Sequence, residues 1–426
     1  MLKDTVLKQK SEKERLLSLP YVERTKSRFA KKWLDSDLIK VILGPRRAGK
    51  SVFSLMLLKE RPFMYFNFDD EIIADNKGVI PEELMKELHA NYGEIKTIHF
   101  DEIQNLPNWE LFINRLHREG YNLILTGSNA KLLSRELATA LTGRHIPIEI
   151  LPFDFNEFLN AKNYQFKTEA LSLPEEKAKL LRLMEIYLIS GGYPEVVVKN
   201  LDSKQYLSIL FDSLLFKDVV KRHNIRFSDK IDGLGSYLIN NVASYYSLRK
   251  LANILDFKSG VTIEKYIGYL KEAYIVFSLS RYSAKAGERL KSPRKIYAVD
   301  NGLVTAKATQ HSPDFGHLME NLVFDELIKK EIEPNRDLFY YKTRNNREVD
   351  FAIKKGTAIT DLIQVSYRAI NQEAEQRETK ALLEAAGELG TKKLSILTWD
   401  EKKQIQKEGK VIDFVPLWEW LCKDFV

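Results

Sequence analysis

The chain has 426 residues and a mass of 49.4 kDa, which at roughly 150 residues per domain corresponds to about three domains. Apolar residues make up 44% of the chain, and this fraction excludes a wholly disordered protein. Lysine and arginine together number 66 against 59 aspartates and glutamates. The resulting formal net charge of +7 permits a polyanionic partner without requiring one.

Cysteine content and hydropathy narrow the cellular setting. The single cysteine, Cys422, excludes an intramolecular disulfide and a cysteine-based zinc site. The N-terminal segment is charged throughout and lacks the apolar core of a signal peptide. No stretch reaches the roughly 18 uncharged apolar residues of a membrane span. We therefore expect a protein of the reducing cytoplasm without membrane attachment.

The N-terminal third alternates strand and helix patterns. Residues 1–36 predict an amphipathic helix and a polar connector, with apolar contacts from Leu16, Leu17, Leu19 and Tyr21. Five short apolar runs then predict buried strands, at residues 38–43, 63–68, 96–100, 122–126 and 145–150. Helical periodicity fills the gaps between them. Such alternation predicts a parallel sheet covered by helices on both faces.

The remainder of the chain changes character twice. Residues 153–240 have leucine, tyrosine and phenylalanine at helical spacing and are predicted to be all-helical. Residues 241–300 predict two short helices followed by paired strands, which is the pattern of a winged helix-turn-helix. Residues 314–400 predict the succession helix, strand, strand, strand, helix, strand.

One loop carries the most specific motif of the chain. It fits G-x-x-x-x-G-K-[ST] in full, between a predicted strand and a predicted helix. Its residues are Gly44, Pro45, Arg46, Arg47, Ala48, Gly49, Lys50 and Ser51. Such a loop turns successive backbone N–H groups toward phosphate oxygens, and the helix N-terminus adds the positive end of its dipole. We predict that Lys50 contacts the β- and γ-phosphates of ATP and that Ser51 binds Mg²⁺.

An acidic pair, Asp101 and Glu102, ends the third predicted strand. Strands often end in solvated acids, but this pair lies one strand–helix unit downstream of a complete phosphate loop. We predict that Asp101 holds Mg²⁺, directly or through water. Glu102 is then placed to polarise an attacking water as a general base, which favours a hydrolase over a nucleotide-binding protein.

Two further polar positions follow later strands. Ser128 or Asn129, just after the fourth predicted strand, is placed to hydrogen-bond the attacking water or the γ-phosphate, although these residue types also favour ordinary turns. Arg144 precedes the fifth predicted strand. Its guanidinium is suited to stabilise charge on the transferred phosphoryl group, in its own site or in a neighbouring subunit. The alternative is an ordinary surface arginine.

These motifs together resemble a known family. Residues 38–200 resemble AAA+ type P-loop ATPases, and nearly the whole chain resembles prokaryotic ATPases with a conserved C-terminal domain of unknown function. The matching stretches are GPRRAGKS (44–51), FDEIQNLPNWE (100–110), LTGSNAKLL (125–133), LTGR (141–144), LPFDFNEF (151–158), GGYPEVV (191–197), ENLVFDEL (320–327) and REVDFAI (347–353). In related ATPases a Gly-x-Pro element contacts the adenine, so the resemblance implies this role for Pro194.

Patterns and resemblance together predict the fold class. It is an α/β protein with a P-loop NTPase parallel sheet of AAA+ type, followed by a helical lid, a winged helix and a small α/β domain similar to PD-(D/E)XK nucleases. The predicted boundaries are 1–36 for an N-terminal helical segment, 37–160 for the ATPase core, 161–240 for the lid, 241–300 for the winged helix and 301–426 for the nuclease-like domain.

The predicted wing, residues 281–295, is strongly basic. It holds six basic side chains against Glu288 alone, namely Arg281, Lys285, Arg289, Lys291, Arg294 and Lys295. Such a segment suits contacts with nucleic-acid phosphates. The predicted recognition helix is neutral overall, which argues against specific base reading. Service as a lid or a protein contact is an equal alternative.

The predicted nuclease-like domain carries an incomplete metal motif. Such nucleases hold a metal with carboxylates beside a lysine that stabilises charge. Glu320 and Asp350 match the acidic positions, and Gln364 is able to replace the second acid. Ser366, however, stands where the lysine is expected. We predict weak or absent nuclease activity, with Glu320 and Asp350 as structural polar residues of a degenerate fold.

The sequence thus predicts an enzyme, a Mg²⁺-dependent ATPase that acts as a conformational switch with ATP and Mg²⁺ as ligands. One alternative is an ATP-regulated nucleic-acid-binding protein without robust turnover, and another is a weak nuclease. Nucleic acid is the predicted partner through residues 281–295. An oligomer is compatible with Arg144 acting between subunits, and no protein partner is indicated.

Overall fold

The computed structural model describes residues 2–70, 79–127, 143–165, 173–309, 314–367 and 372–422. Backbone contacts divide the chain into two compact units. The first comprises Met1–Pro152 with Glu272–Tyr274, and the second Phe153–Lys271 with Ile275–Val426. Within the described ranges, no helix combines the length and the apolar composition that crossing a bilayer requires.

A five-stranded parallel sheet forms the centre of the first unit. Its strands are β1 (Ile39–Leu43), β2 (Met64–Asn67), β3 (Thr97–Asp101), β4 (Asn122–Thr126) and β5 (His145–Glu149). Their order across the sheet is β2-β3-β4-β1-β5, and every neighbouring pair is parallel. The carboxyl ends of all five strands therefore lie along one edge. This confirms the parallel sheet predicted from the five apolar runs.

Helices cover both faces of this sheet. They are α1 (Leu2–Ser18), α2 (Ser27–Lys31), α3 (Lys50–Leu57), α4 (Pro81–Tyr92) and α5 (Trp109–Arg118), with a 3₁₀ turn at Ile103–Asn105. Every residue of β1 is buried, and neighbouring residues on this strand belong to different apolar clusters. Val41 packs in one cluster with Leu88 and Leu116, and Ile42 packs in another with Phe53. This burial on both sides explains why β1 is apolar at every position except Lys40.

The N-terminal helix α1 covers the edge strand β2. The Gln9 side-chain oxygen accepts from the Asn67 N–H at 2.9 Å, and the Gln9 amide nitrogen donates to the Asn67 carbonyl oxygen at 3.1 Å. The predicted helix is present, and Leu16 and Leu17 pack, partly buried, against the apolar cluster of Ile42 and Phe53, as predicted. Val6 is fully buried, whereas Leu19 and Tyr21 are 50% and 45% exposed. Their prediction as apolar contacts was wrong because α1 ends at Ser18, before both residues.

The second unit begins with a helical region. Its elements are α6 (Phe155–Ala161), α7 (Pro174–Ser190), α8 (Pro194–Lys199), α9 (Ser203–Ser213), a π-helical segment (Leu214–Lys221) and α10 (Ser228–Ile239). Asp154 and Glu157 form a capping box that starts α6. The turn between α7 and α8 passes close to other backbone, since a Cβ on Gly192 would lie 2.3 Å from the Phe153 carbonyl oxygen. The named elements among the described residues of 153–240 are all helices, as predicted.

Two helices and a small antiparallel sheet follow, which we call the helix–sheet segment (residues 241–300). The helices are α11 (Leu248–Ile254) and α12 (Gly260–Glu272), and the strands are β6 (Tyr245–Tyr246), β7 (Val276–Leu279) and β8 (Arg294–Ala298). The strand order is β6-β8-β7. A short helix, α13 (Ala286–Lys291), lies between β7 and β8, within the predicted wing. The winged-helix assignment stays a prediction.

A six-stranded mixed sheet forms the C-terminal part of the second unit. Its strands are β9 (Leu338–Lys342), β10 (Glu348–Lys355), β11 (Ala358–Ser366), β12 (Lys393–Thr398), β13 (Lys403–Lys407) and β14 (Lys410–Pro416), in the order β13-β14-β12-β11-β10-β9. The accompanying helices are α14 (Asn301–Ala306), α15 (Phe315–Lys329), α16 (Gln372–Leu389) and α17 (Leu417–Cys422). The helix, three strands, helix and strand predicted for 314–400 are all present.

Candidate functional site

The loop after β1 prepares a site for an anion. Gly44 has a φ of 141°, and a Cβ there would lie 2.0 Å from the Ile150 carbonyl oxygen, so only glycine fits. Helix α3 begins at Lys50, directly after the loop. Backbone N–H groups in the first turn of a helix have no partner within it, and the dipole there favours negative charge. The local structure thus matches what the phosphate-loop motif requires.

The Lys50 side chain is buried against its own loop. Its Nζ donates to the Pro45 carbonyl oxygen at 2.9 Å, and the residue is 5% exposed. The Lys50 ammonium is therefore held beside the backbone N–H groups of the loop and of the first turn of α3, which are suited to bind an anion.

Three hydroxyl groups converge on the carboxylate of Asp101, the last residue of β3. Asp101 Oδ1 accepts from Ser51 Oγ at 3.0 Å and from Thr126 Oγ1, and Oδ2 accepts from the Tyr65 hydroxyl at 3.3 Å. The structure thus brings together the loop serine and the strand-end acid that were predicted to share a metal ion. Thr126 and Tyr65 were missed, because only the sheet order shows that β4 and β2 flank β3.

The environment of Asp101 shapes its chemistry. Burial raises the pKa of the carboxyl above its ordinary value, while hydrogen bonds from Thr126 and Ser51 and the charge of Lys50 act in the opposite direction. A desolvated carboxylate beside a hydroxyl oxygen suits Mg²⁺, which prefers oxygen ligands and often takes only one or two from the protein when phosphates supply others. Ser51 and Asp101 therefore fit this ion.

Glu102 follows β3 in a left-handed backbone conformation, with a φ of 50°. Its N–H donates to Thr126 Oγ1 at 3.0 Å, and its Oε2 accepts from the Gln104 side-chain amide at 2.5 Å. Thr126 is thus bonded to both members of the acidic pair. Gln104 was not predicted, although its place two residues after Glu102 puts it within reach of the carboxylate.

Arg24 contacts the phosphate loop and was also missed. Its Nη1 donates to the Ala48 carbonyl oxygen at 2.9 Å and its Nη2 to the Leu151 carbonyl oxygen at 2.5 Å. The side chain is buried. It therefore ties the loop to the chain just after β5. Arg24 could not be singled out from the sequence, because it is one of several basic residues in a polar connector.

The structure does not bring Arg144 to this edge of the sheet. Its carbonyl oxygen accepts from the Ile39 N–H at 2.9 Å, at the start of β1, whereas the phosphate loop follows the other end of that strand. At about 3.3 Å per residue these ends are roughly 13 Å apart. Arg144 is exposed. This placement does not support a role in its own site, and a role in a neighbouring subunit stays a prediction.

Two other predicted positions remain to be placed. Asn129, with its alternative Ser128, lies outside the described residues. Pro194 is the first residue of α8 in the second unit, and its contact with adenine stays a prediction. A distant residue holds the turn before Pro194, since the Gly192 N–H donates to the carboxylate of Asp300 at 2.7 Å.

The basic wing presents fewer charges to solvent than the sequence indicates. Arg281 Nη2 donates to the Lys342 carbonyl oxygen at 2.7 Å, and Arg294 Nη1 lies 3.4 Å from Glu264 Oε1. Lys295 is buried. The remaining basic side chains lie on or beside α13, and they are Lys285, Arg289 and Lys291.

The two acids predicted for the nuclease-like motif lie close together in the second unit. Glu320 comes from α15 and Asp350 from β10, and both contact the Lys295 ammonium. Gln364 on β11 accepts from the Asp350 N–H at 3.3 Å. Lys295 was predicted to contact nucleic acid, but it is buried and its ammonium contacts Glu320 and Asp350.

Family comparisons divide the chain into three parts. Residues 36–159 match the model of an AAA domain. Residues 181–314 match a domain of unknown function, DUF8612, and residues 315–420 match another, DUF4143. The AAA match covers the sheet, the phosphate loop and the acidic pair.

Among solved structures, the Walker-type ATPase PABY2304 of Pyrococcus abyssi is 18% identical, with a TM-score of 0.45 over 68% of this chain and 99% of that one. The RuvB Holliday junction branch migration motor of Thermotoga maritima is 16% identical, with a TM-score of 0.30 over 68% of this chain and 98% of that one.

Two curated relatives are similar over most of their length. An uncharacterized protein of Methanocaldococcus jannaschii is 36% identical over 402 residues, which are 91% of this chain and 89% of the relative. An uncharacterized protein of Haemophilus influenzae is 30% identical over 351 residues, which are 78% of this chain and 83% of the relative. The chain therefore belongs to one family with these two proteins, and its N-terminal unit is an AAA-type P-loop domain.

Proposed function

We propose that the protein is a Mg²⁺-dependent ATPase that uses hydrolysis as a conformational switch. The observation that carries the proposal is the contact between Ser51 and Asp101 beside the glycine-bounded loop. A nucleoside triphosphate needs backbone donors, a cation and oxygen ligands for Mg²⁺ at one place. All three occur at the carboxyl edge of this sheet.

Each residue of the site has a role that its surroundings support. Lys50 would exchange its bond to the Pro45 carbonyl for one to the β- and γ-phosphates. Bound Mg²⁺ would supply charge neutralisation at those oxygens, held by Ser51 and Asp101. Glu102 would accept a proton from the attacking water through one carboxylate oxygen, while Gln104 holds the other.

Two variants test the site directly. Lys50→Ala should lose both ATP binding and hydrolysis, because the phosphates lose their cation. Glu102→Gln should keep ATP binding but hydrolyse it roughly 10²- to 10⁴-fold more slowly, because the amide accepts no proton. Phosphate release and calorimetric titration with ATP measure the two effects. Glu83→Gln, an exposed change on α4, is the control, and wild-type turnover in both site variants would refute the assignment.

A second candidate role is binding of nucleic acid by the helix–sheet segment. Its support is the exposed pair Lys285 and Lys291, which lie just before α13 and at its last residue. Neutralising phosphates with lysine releases counterions, so the affinity must fall as salt rises.

Substitution of both lysines, Lys285 and Lys291, tests the proposed binding of nucleic acid. Lys285→Ala/Lys291→Ala should weaken binding of duplex DNA or RNA and reduce the slope of log affinity against log salt by about 1.5 to 2. A double variant of exposed lysines elsewhere in the unit, Lys392→Ala/Lys407→Ala, is the charge-matched control. Binding that is undetectable, or that does not respond to salt, would contradict this role.

A further inference from the structure

A lysine ammonium occupies the centre of a carboxylate cluster in the second unit. Lys295 Nζ lies 2.7 Å from Glu320 Oε1, 2.6 Å from Glu348 Oε1 and 3.4 Å from Asp350 Oδ1. The lysine comes from β8, whereas the acids come from α15 and β10. The Lys295 side chain is 3% exposed. A single ammonium is thus shared by carboxylates from two other elements.

Each carboxylate of the cluster also has a second partner that fixes its orientation. The Tyr297 hydroxyl donates to Glu320 at 2.7 Å, and the Tyr245 hydroxyl donates to Glu348. Asp350 Oδ2 accepts from the backbone N–H of Val365 at 2.9 Å. Charge-assisted hydrogen bonds of this kind are strong in a buried setting. The cluster is therefore built around the ammonium.

The charge state of the cluster supports this arrangement. Burial alone would lower the pKa of Lys295, but the carboxylates of Glu320, Asp350 and Glu348 raise it well above its ordinary value. Burial and the neighbouring charge of Glu320 raise the pKa of Asp350 to about 7. The ammonium therefore stays charged.

These residues do not fit the divalent metal that a nuclease-like domain implies. A catalytic lysine stands beside a metal and leaves the carboxylate oxygens to it, whereas Lys295 Nζ contacts those oxygens directly. A divalent ion would need the same oxygens at about 2.0 to 2.6 Å. In the part of the chain that the structure describes, no three histidine, cysteine, aspartate or glutamate side chains are arranged to hold a metal ion.

We infer that the Lys295 ammonium is the resident cation of the Glu320, Glu348 and Asp350 cluster, in the position that a metal ion would take. The cluster then joins the helix–sheet segment to the six-stranded sheet instead of cutting phosphodiesters. Other contacts link the same parts. Among them, the Tyr282 N–H donates to the Tyr340 carbonyl oxygen and the Ser280 N–H donates to Asn335 Oδ1, both at 2.7 Å.

The first experiment measures Mn²⁺ binding to the full chain by the loss of its free-ion paramagnetic resonance signal. The parent for this test carries Asp101→Asn, so that the outcome does not depend on the nucleotide site. We expect the parent and its Asp350→Asn derivative to bind the same amount of Mn²⁺. A bound ion in the parent that Asp350→Asn removes would overturn the inference, as would Mn²⁺-dependent DNA or RNA cleavage that Asp350→Asn abolishes.

The second experiment removes the ammonium. Lys295→Met in the same parent should unfold at a temperature several degrees lower, because buried carboxylates lose their counter-charge. Mn²⁺ should raise that temperature, whereas it should not do so after Asp350→Asn is added. Lys291→Met, an exposed change four residues earlier, is the control. A Lys295→Met protein as stable as its parent would overturn the inference, and if it fails to fold the first experiment still decides.

Discussion

A single histidine joins the acidic strand to the helix that starts at the phosphate loop. His99 lies on β3 two residues before Asp101, and its Nε2 lies 2.9 Å from Ser54 Oγ on α3. Complete burial lowers the pKa of its imidazole to about 3. The ring is therefore neutral at physiological pH.

This histidine should make the first unit sensitive to acid. The unfolded chain takes up a proton at an ordinary imidazole pKa of 6.5, whereas the folded chain does so only near 3. The contribution of His99 to the free energy of unfolding is therefore fully present well above pH 6.5. It is lost as the pH falls, by about 2 kcal/mol at pH 5. Urea unfolding at pH 7 and pH 5 measures the loss. His99→Gln should remove it and the partly exposed His117→Gln should keep it, so an equal loss in both would contradict the assignment.

Side-chain contacts between neighbouring strands could not be predicted from the sequence, because they depend on the order of the strands in the sheet. Ser51 and Asp101 were predictable because each lies at a fixed place in a local pattern, after a strand or at the start of a helix. Thr126 also ends a strand, but its bond to Asp101 depends on β4 lying beside β3. Lys295 was predicted to face a nucleic acid because charge runs are usually solvated. The acids that contact its ammonium, Glu320, Glu348 and Asp350, follow later in the chain on other elements.

The elements themselves were largely predictable. All five predicted strands of the first unit agree with the structure to within one or two residues, because each lies in a short run that is rich in apolar residues. The buried side chains of the amphipathic helix α1 were harder to predict, because they depend on the residue at which the helix ends. The helix α13 within the predicted wing was missed, because six basic residues in 15 obscure any apolar period.

At the scale of elements, the phosphate loop is held in place by Arg24, a residue outside its own motif. Arg24→Ala should remove two charged hydrogen bonds, one to the loop carbonyl of Ala48 and one to the Leu151 carbonyl after β5. The affinity for ATP should fall roughly ten- to a hundredfold, at about 1.5 to 3 kcal/mol for such bonds. Calorimetric titration with ATP measures the change. Arg28→Ala, an exposed change on α2, should leave the affinity unaltered. Equal affinities in the two variants would show that the loop keeps its shape unaided.

At the scale of the whole molecule, the predicted role of Arg144 would link hydrolysis to assembly. It is exposed at the edge opposite its own phosphate loop, so its predicted role requires a second copy of the chain. Arg144→Ala and Lys50→Ala should each hydrolyse ATP poorly alone. Mixing them should restore part of the activity, because the Lys50→Ala copy still supplies an arginine to the intact loop of the other.

The mixture experiment needs a measure of assembly beside it. Light scattering after size exclusion, with and without ATP and Mg²⁺, should show oligomers under the conditions in which activity is restored. Arg118→Ala, an exposed arginine at the end of α5, is the control and should hydrolyse ATP normally without mixing. Full activity of Arg144→Ala as a monomer would remove the arginine from the mechanism.

The Gln9 side chain has a consequence for how this protein is handled in the laboratory. It satisfies an N–H and a carbonyl of Asn67 on the outermost strand, as an adjoining strand would. A fragment cut at residue 36, where the AAA domain match begins, would keep every residue of the phosphate loop yet lose this cover. Its bare strand would then be free to pair with another copy, and unprotected strand edges of this kind lead to aggregation. A soluble fragment of the AAA domain should therefore retain α1 and not begin at residue 36.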